Sequence, residues 1–119
     1  MAPAAGRIRD RSTFRALRRP AGRATRGLVR VSYVAPRDSD RERFARVGYA
    51  IDRRCGNAVA RNRLRRRCRE AARQASAEVP AGSYLVRPEP GALTLDYADL
   101  ARAVREAMIA AAAGRAADR

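Results

Sequence analysis

The run Gly56-Asn57-Ala58-Val59-Ala60-Arg61-Asn62-Arg63-Leu64-Arg65-Arg66-Arg67-Cys68-Arg69-Glu70 decides how this 119-residue chain is read. Six of residues 61–70 are arginine, yet small and apolar residues recur among them at helical spacing. At about 100° per residue, Leu64, Cys68, Ala71 and Ala75 share one narrow stripe with Ala60 beside it, the stripe that packs. Opposite lie Asn62, Arg66, Arg69 and Arg73, flanked by Arg61 and Arg65 on one side and by Arg63 and Arg67 on the other. The ridge is about 16 Å long at the helical rise. Like charges four residues apart disfavour a helix by a few tenths of a kcal/mol per pair, and within the run only Glu70 relieves them. Such a ridge suits a polyanion that neutralises it.

Charge elsewhere sharpens that reading. The net charge is +15, and all 27 basic residues are arginine. Residues 1–34 and residues 53–73 each carry nine arginines against one acid, whereas the other two segments are close to neutral. The basic surface is therefore localised, and nucleic acid is the default partner for such a pattern. Planar guanidinium groups make forked phosphate contacts and stack on unpaired bases, which favours structured RNA over a regular duplex.

Histidine is absent, which removes the commonest general base and metal ligand and most hydrolase mechanisms with them. Cys55 and Cys68 have neither zinc-ligand spacing nor a disulfide framework and read as reduced thiols. No apolar run approaches a membrane span, and the basic N-terminus lacks a signal-peptide core, so a cytoplasmic location without membrane contact is expected.

Along the chain, one domain of 119 residues is expected, with disordered tails at 1–6 and 114–119. Ser12 reads as the cap of a short helix carrying Phe14 and Leu17, ended by Pro20 and Gly22. Alternation predicts strands at 27–34 and 44–51, joined by an exposed loop at 35–43. Asn57 caps the basic helix, which runs to about Ala77. A strand at 83–87 follows, then a helix from about Leu95 to Ala113 whose stripe is Tyr97, Leu100, Val104, Met108 and Ala111. The order αββαβα implies an α+β, two-layer sandwich with a small sheet.

Val47-Gly48, then Arg53-Arg54-Cys55-Gly56-Asn57-Ala58-Val59-Ala60-Arg61-Asn62-Arg63-Leu64-Arg65-Arg66, closely resembles the signature of the bacterial ribonuclease P protein family. The match is gapless over about 20 residues, and the layout around it follows the same family. The resemblance implies a fold like the second domain of ribosomal protein S5, with the signature helix in a left-handed βαβ crossover. It also implies the role: a protein subunit that binds the catalytic RNA, assisting Mg²⁺-dependent removal of the 5′ leader from precursor tRNA. Catalysis and most Mg²⁺ binding then belong to the RNA, with no catalytic residue or metal ligand on this chain and no protein partner implied. Carried over by position, Arg61, Asn62, Arg63, Arg65, Arg66, Arg69 and Arg73 form the RNA-binding set, extended by Arg53, Arg54 and Asn57. Phe14, Arg18 and Arg30 stand in the cleft that holds the single-stranded leader.

Two positions depart from the family pattern: Asp52 stands where serine is usual, and Arg18 where a second aromatic is common. A ribosomal-type structural RNA binder is the alternative reading. A DNA-reading helix suits the strand-flanked setting less well.

Overall fold

The computed structural model describes residues 6–8, 11–36 and 44–114. Five strands form one sheet in the order β1-β4-β5-β3-β2. They are β1 (Gly6–Arg7), β2 (Gly22–Arg26), β3 (Val29–Val34), β4 (Ala45–Tyr49) and β5 (Gly82–Pro88). Three helices accompany them: α1 (Arg11–Ala16), α2 (Ala58–Ala75) and α3 (Tyr97–Ala113). The fold is thus α+β, with β4 and β5 adjacent and parallel, so that α2 is the crossover between them.

Alternation explains the inner face of the sheet. Val29, Val31 and Tyr33 from β3, Ala45 and Val47 from β4, and Tyr84 and Val86 from β5 are buried in one core. The helices that cover it are rich in alanine where they touch: Ala71, Ala72 and Ala75 on α2, Ala107 and Ala111 on α3. Leu64 and Cys68 from α2, with Leu100, Val104 and Met108 from α3, fill the remaining depth at 0% exposure. The packing stripe expected for the basic helix is therefore the one observed. Tyr97, expected in the α3 stripe, sits at its edge and is 36% exposed.

The opposite face carries a smaller cluster of Ile8, Leu17 and Leu85. Leu85 alternates with Tyr84 and Val86, which places α1 across the sheet from α2 and α3. Helices therefore lie on both faces, and the part of the outer face that α1 leaves uncovered becomes the basic surface described below.

Two strands were not expected from the sequence. β2 occupies Gly22–Arg26, a segment that reads only as a helix stop because its inward positions are Gly22, half-buried Ala24 and exposed Arg26. It pairs antiparallel with β3 through the two-residue turn Gly27-Leu28, where Gly27 takes φ +54°. β1 falls at the end of the segment expected to be disordered and is held by parallel pairing to β4, Gly6 opposite Arg46. Ser12 is the second residue of α1 and not its cap. The basic helix ends at Ala75 and tightens into a 3₁₀ turn over Ser76–Glu78. The expected tails, apart from Gly6 and Gly114, and the expected loop beyond Pro36 lie outside the described residues.

Candidate nucleic-acid interface

Beyond β4, the chain turns sharply into α2. Asp52 caps a 3₁₀ turn at Arg53–Cys55, its Oδ1 accepting from the Arg54 backbone N–H at 2.8 Å and lying 3.3 Å from Arg54 Nε. The Arg54 backbone N–H and then its guanidinium hold the Asp52 carboxyl below the usual carboxylate range. An acid at this position therefore has a local structural role beside the basic surface. Asn57 then caps α2, its Oδ1 accepting from the Ala60 N–H at 2.9 Å.

From that cap the ridge runs as expected. Arg53, Arg54, Asn57, Asn62, Arg63, Arg66, Arg69 and Arg73 are exposed, with Arg61 and Arg65 half-buried at its foot. Its members differ in how committed they are. Arg73 donates to Glu70 at 2.6 Å and is neutralised by it. Arg65 donates to Asn62 Oδ1 at 3.2 Å, and the Arg69 guanidinium lies 6.0 Å from the centre of the Tyr49 ring. Arg61 Nε is shielded from solvent with no hydrogen-bond partner among the described residues.

Arg67 belongs to the run but not to the ridge. Its Nη1 donates to the Leu93 carbonyl at 2.6 Å and its Nη2 to the Leu95 carbonyl at 2.5 Å, pinning the turn that leads into α3. Arg67→Ala is expected to lower stability by about 2 kcal/mol, the scale of a lost charge-assisted contact that leaves carbonyls unpaired. A thermal melt checks this, and a melt equal to the parent's would show the clip to be dispensable.

The outer sheet face is divided by α1. On one side a cavity of about 500 Å³ is lined by Phe14, Gly48, Tyr49, Arg65 and Arg69 among others. Phe14 is 43% exposed and rests on Gly48, where a Cβ would come within 3.3 Å of the ring. On the other side a cavity of about 270 Å³ is lined by Arg18, Arg23, Arg30 and Arg87 and by no acid among the described residues. A third, of about 340 Å³, shares Arg30 and Arg87 with the second and adds Asp52, Arg54 and Glu89. Arg18 and Arg30 are thus brought together, whereas Phe14 lines a different cavity, together with two ridge arginines.

Arg23 and Arg87 are the residues sequence reasoning missed. Arg87 stands directly opposite Arg30 across β3 and β5. Like charges so placed repel, and Glu89 offers Arg30 only a contact at 3.4 Å. The same alternation that turned Arg30 outward carried the signal for Arg87; Arg23 sits on a strand that was not read. Cys68 is fully buried, which pushes its thiol up to about 12, and half-buried Cys55 donates to the Pro88 carbonyl at 3.6 Å. Among the described residues no helix is long and apolar enough to cross a membrane.

Residues 2–112 match the Ribonuclease P family. The chain belongs to the ribonuclease P protein family. It is 36% identical over 107 residues to the ribonuclease P protein component of Thermobifida fusca, covering 86% of this chain and 73% of that one. Against the protein component of a Nocardioides species it is 36% identical over 110 residues, covering 92% and 93%. The RNase P protein of Thermotoga maritima shares the fold, with a TM-score of 0.72 at 20% identity over 86% of this chain and 94% of that one. The Staphylococcus aureus protein does so with a TM-score of 0.71 at 19% identity over 87% and 92%. As a family member the chain is the protein component of a ribonucleoprotein endonuclease in tRNA 5′ processing, with the ribonuclease P RNA as its partner.

Proposed function

We propose that the whole chain acts as one RNA-binding domain in which α2 docks on the catalytic RNA and the outer sheet face receives the 5′ leader of precursor tRNA. The docking set is Arg53, Arg54, Asn57, Arg61, Asn62, Arg63, Arg65, Arg66 and Arg69, with Arg73 contributing less because Glu70 already holds it. Phe14, Arg18 and Arg30 serve the leader. The observation that carries the reading is the cavity of Arg18, Arg23, Arg30 and Arg87, lined by no acid among the described residues, on the face that α2 does not cover. Four arginines lining one cavity, only Arg30 among them contacting a carboxylate and that at 3.4 Å, are stabilised when phosphates lie among them.

Mg²⁺ is assigned to the RNA in this reading. Among the described residues, the carboxylates that line these cavities, Asp52 and Glu89, each face an arginine, a poor setting for a cation that demands octahedral oxygen ligation. The protein's work is to bind and position, in the cytoplasm, while the RNA performs the hydrolysis.

Reconstitution tests this. Added to its cognate catalytic RNA at low Mg²⁺ and moderate salt, the chain is expected to raise precursor-tRNA cleavage. Arg18→Ala combined with Arg30→Ala is expected to reduce that stimulation for a substrate with a long leader and to spare one with a single-nucleotide leader. Equal losses on both substrates would remove the leader from this face.

A further inference from the structure

The third cavity differs from its neighbour in a way that phosphate binding does not explain. Among the described residues, four arginines and no acid line the second cavity; three arginines and the two carboxylates of Asp52 and Glu89 line the third. A groove meant only for phosphates gains nothing from carboxylates at one end, because each repels the backbone at close range. Since these two cavities share Arg30 and Arg87, a strand whose phosphates settle in the second presents another part of the nucleotide to the third.

The mixed cavity suits a nucleobase. Ala50, Ile51 and Pro88 give it apolar walls, and its volume of about 340 Å³ admits a flat ring system. Glu89 is held stiffly between Pro88 and Pro90, and its backbone N–H donates to the Leu28 carbonyl at 2.7 Å. Its Oε1 meets Arg30 at 3.4 Å, the outer limit of a hydrogen bond, and no partner holds Oε2 among the described residues. Asp52 is occupied by the Arg54 turn. Glu89 is accordingly the carboxylate free to accept from a ligand.

An ionised carboxylate only accepts hydrogen bonds. Guanine offers N1–H and an N2 amino hydrogen side by side, matching both oxygens at once. Cytosine and adenine offer one exocyclic amino group each, and uracil puts two carbonyls around a single N–H, which a carboxylate repels. We propose that Glu89 reads a guanine at one position of the precursor-tRNA leader, making it a specificity-determining residue for the cleavage reaction. The inference rests on the leader-binding reading above.

Competition among precursor tRNAs with randomised leaders, cleaved by the reconstituted holoenzyme, tests it. One leader position is expected to favour guanine over uracil in kcat/KM on the order of tenfold, the discrimination of a single bidentate base contact. Catalytic RNA alone at high Mg²⁺ should lack that preference. Glu89→Gln and Glu89→Ala, each with an unchanged thermal melt, should bring guanine and uracil within about twofold while the protein still stimulates cleavage. Persistence of the preference in both variants would overturn the proposal. A uniform rise for all leaders in the variants would also overturn it, since that is what relief of phosphate repulsion produces. Stimulation without any leader preference in the parent would sink the guanine reading alone. Absence of stimulation would sink the leader-binding reading and this one together.

Discussion

Replacing Gly22 by alanine is expected to destabilise the protein by about 3 kcal/mol, at the upper end of the usual range for overpacked sites. An added Cβ would lie far inside van der Waals contact distance of the Ala111 carbonyl oxygen, with the carbonyl carbon only 3.0 Å away. Both partners are backbone, so no rotamer change relieves the clash. Either the edge strand β2 must part from β3, or α3 must lift from the sheet and open the core around Met108 and Val104. For a chain of this size the melting temperature should fall on the order of 10 °C, read by far-ultraviolet circular dichroism. A melt within 2 °C of the parent's, small on the same scale, would mean that the edge yields freely and that this contact does not set the helix's distance from the sheet.

That glycine also marks where the sequence could not be read. It looked like a helix stop, because Pro20 and Gly22 follow α1 and nothing apolar alternates after them. Its role is instead set by α3, some 90 residues later in the chain, and a contact of that kind leaves no local signature. β1 is hidden for a similar reason: two residues have no periodicity, and pairing with β4 alone makes them a strand. The long elements were legible because the period of 3.6 on α2 and α3 and of 2 on β3 and β4 is written in apolar side chains, while β5, buried on both faces, shows the short apolar run Tyr84-Leu85-Val86.

The candidate site divides along the same line. Helical spacing separated the packing stripe of α2 from its ridge and placed Arg66 and Arg69 on the surface. It could not show that Arg67 turns aside to two carbonyls at the start of α3, because nothing in the run distinguishes that arginine from its neighbours. Nor could it show that α1 parts Phe14 from Arg18 and Arg30, which depends on how a six-residue helix crosses the sheet. Asp52 looked like a blemish on a basic surface; in three dimensions it caps the turn that aims Arg53 and Arg54.

The ridge itself yields the largest expected effect on binding. Arg66→Ala combined with Arg69→Ala is expected to weaken affinity for the catalytic RNA on the order of 10- to 100-fold at low salt, since charge-assisted phosphate contacts are worth about 1.5–3 kcal/mol apiece before solvent screening. The dependence of log affinity on log salt should flatten by about 0.7–0.9 for each phosphate contact removed. Both arginines are exposed, so the fold should be kept; Arg69 gives up only its distant contact with Tyr49. Arg102→Ala is the matched control. It removes one positive charge from α3, where Arg102 pairs with Asp99 at 2.7 Å, and should leave the salt slope unchanged. Arg73→Ala should fall between the two, because its guanidinium must leave Glu70 before it can meet a phosphate. The gradation separates a docking ridge from general attraction. If net charge alone drew the RNA in, Arg102→Ala would cost as much as either ridge substitution, and the graded slopes would collapse into one.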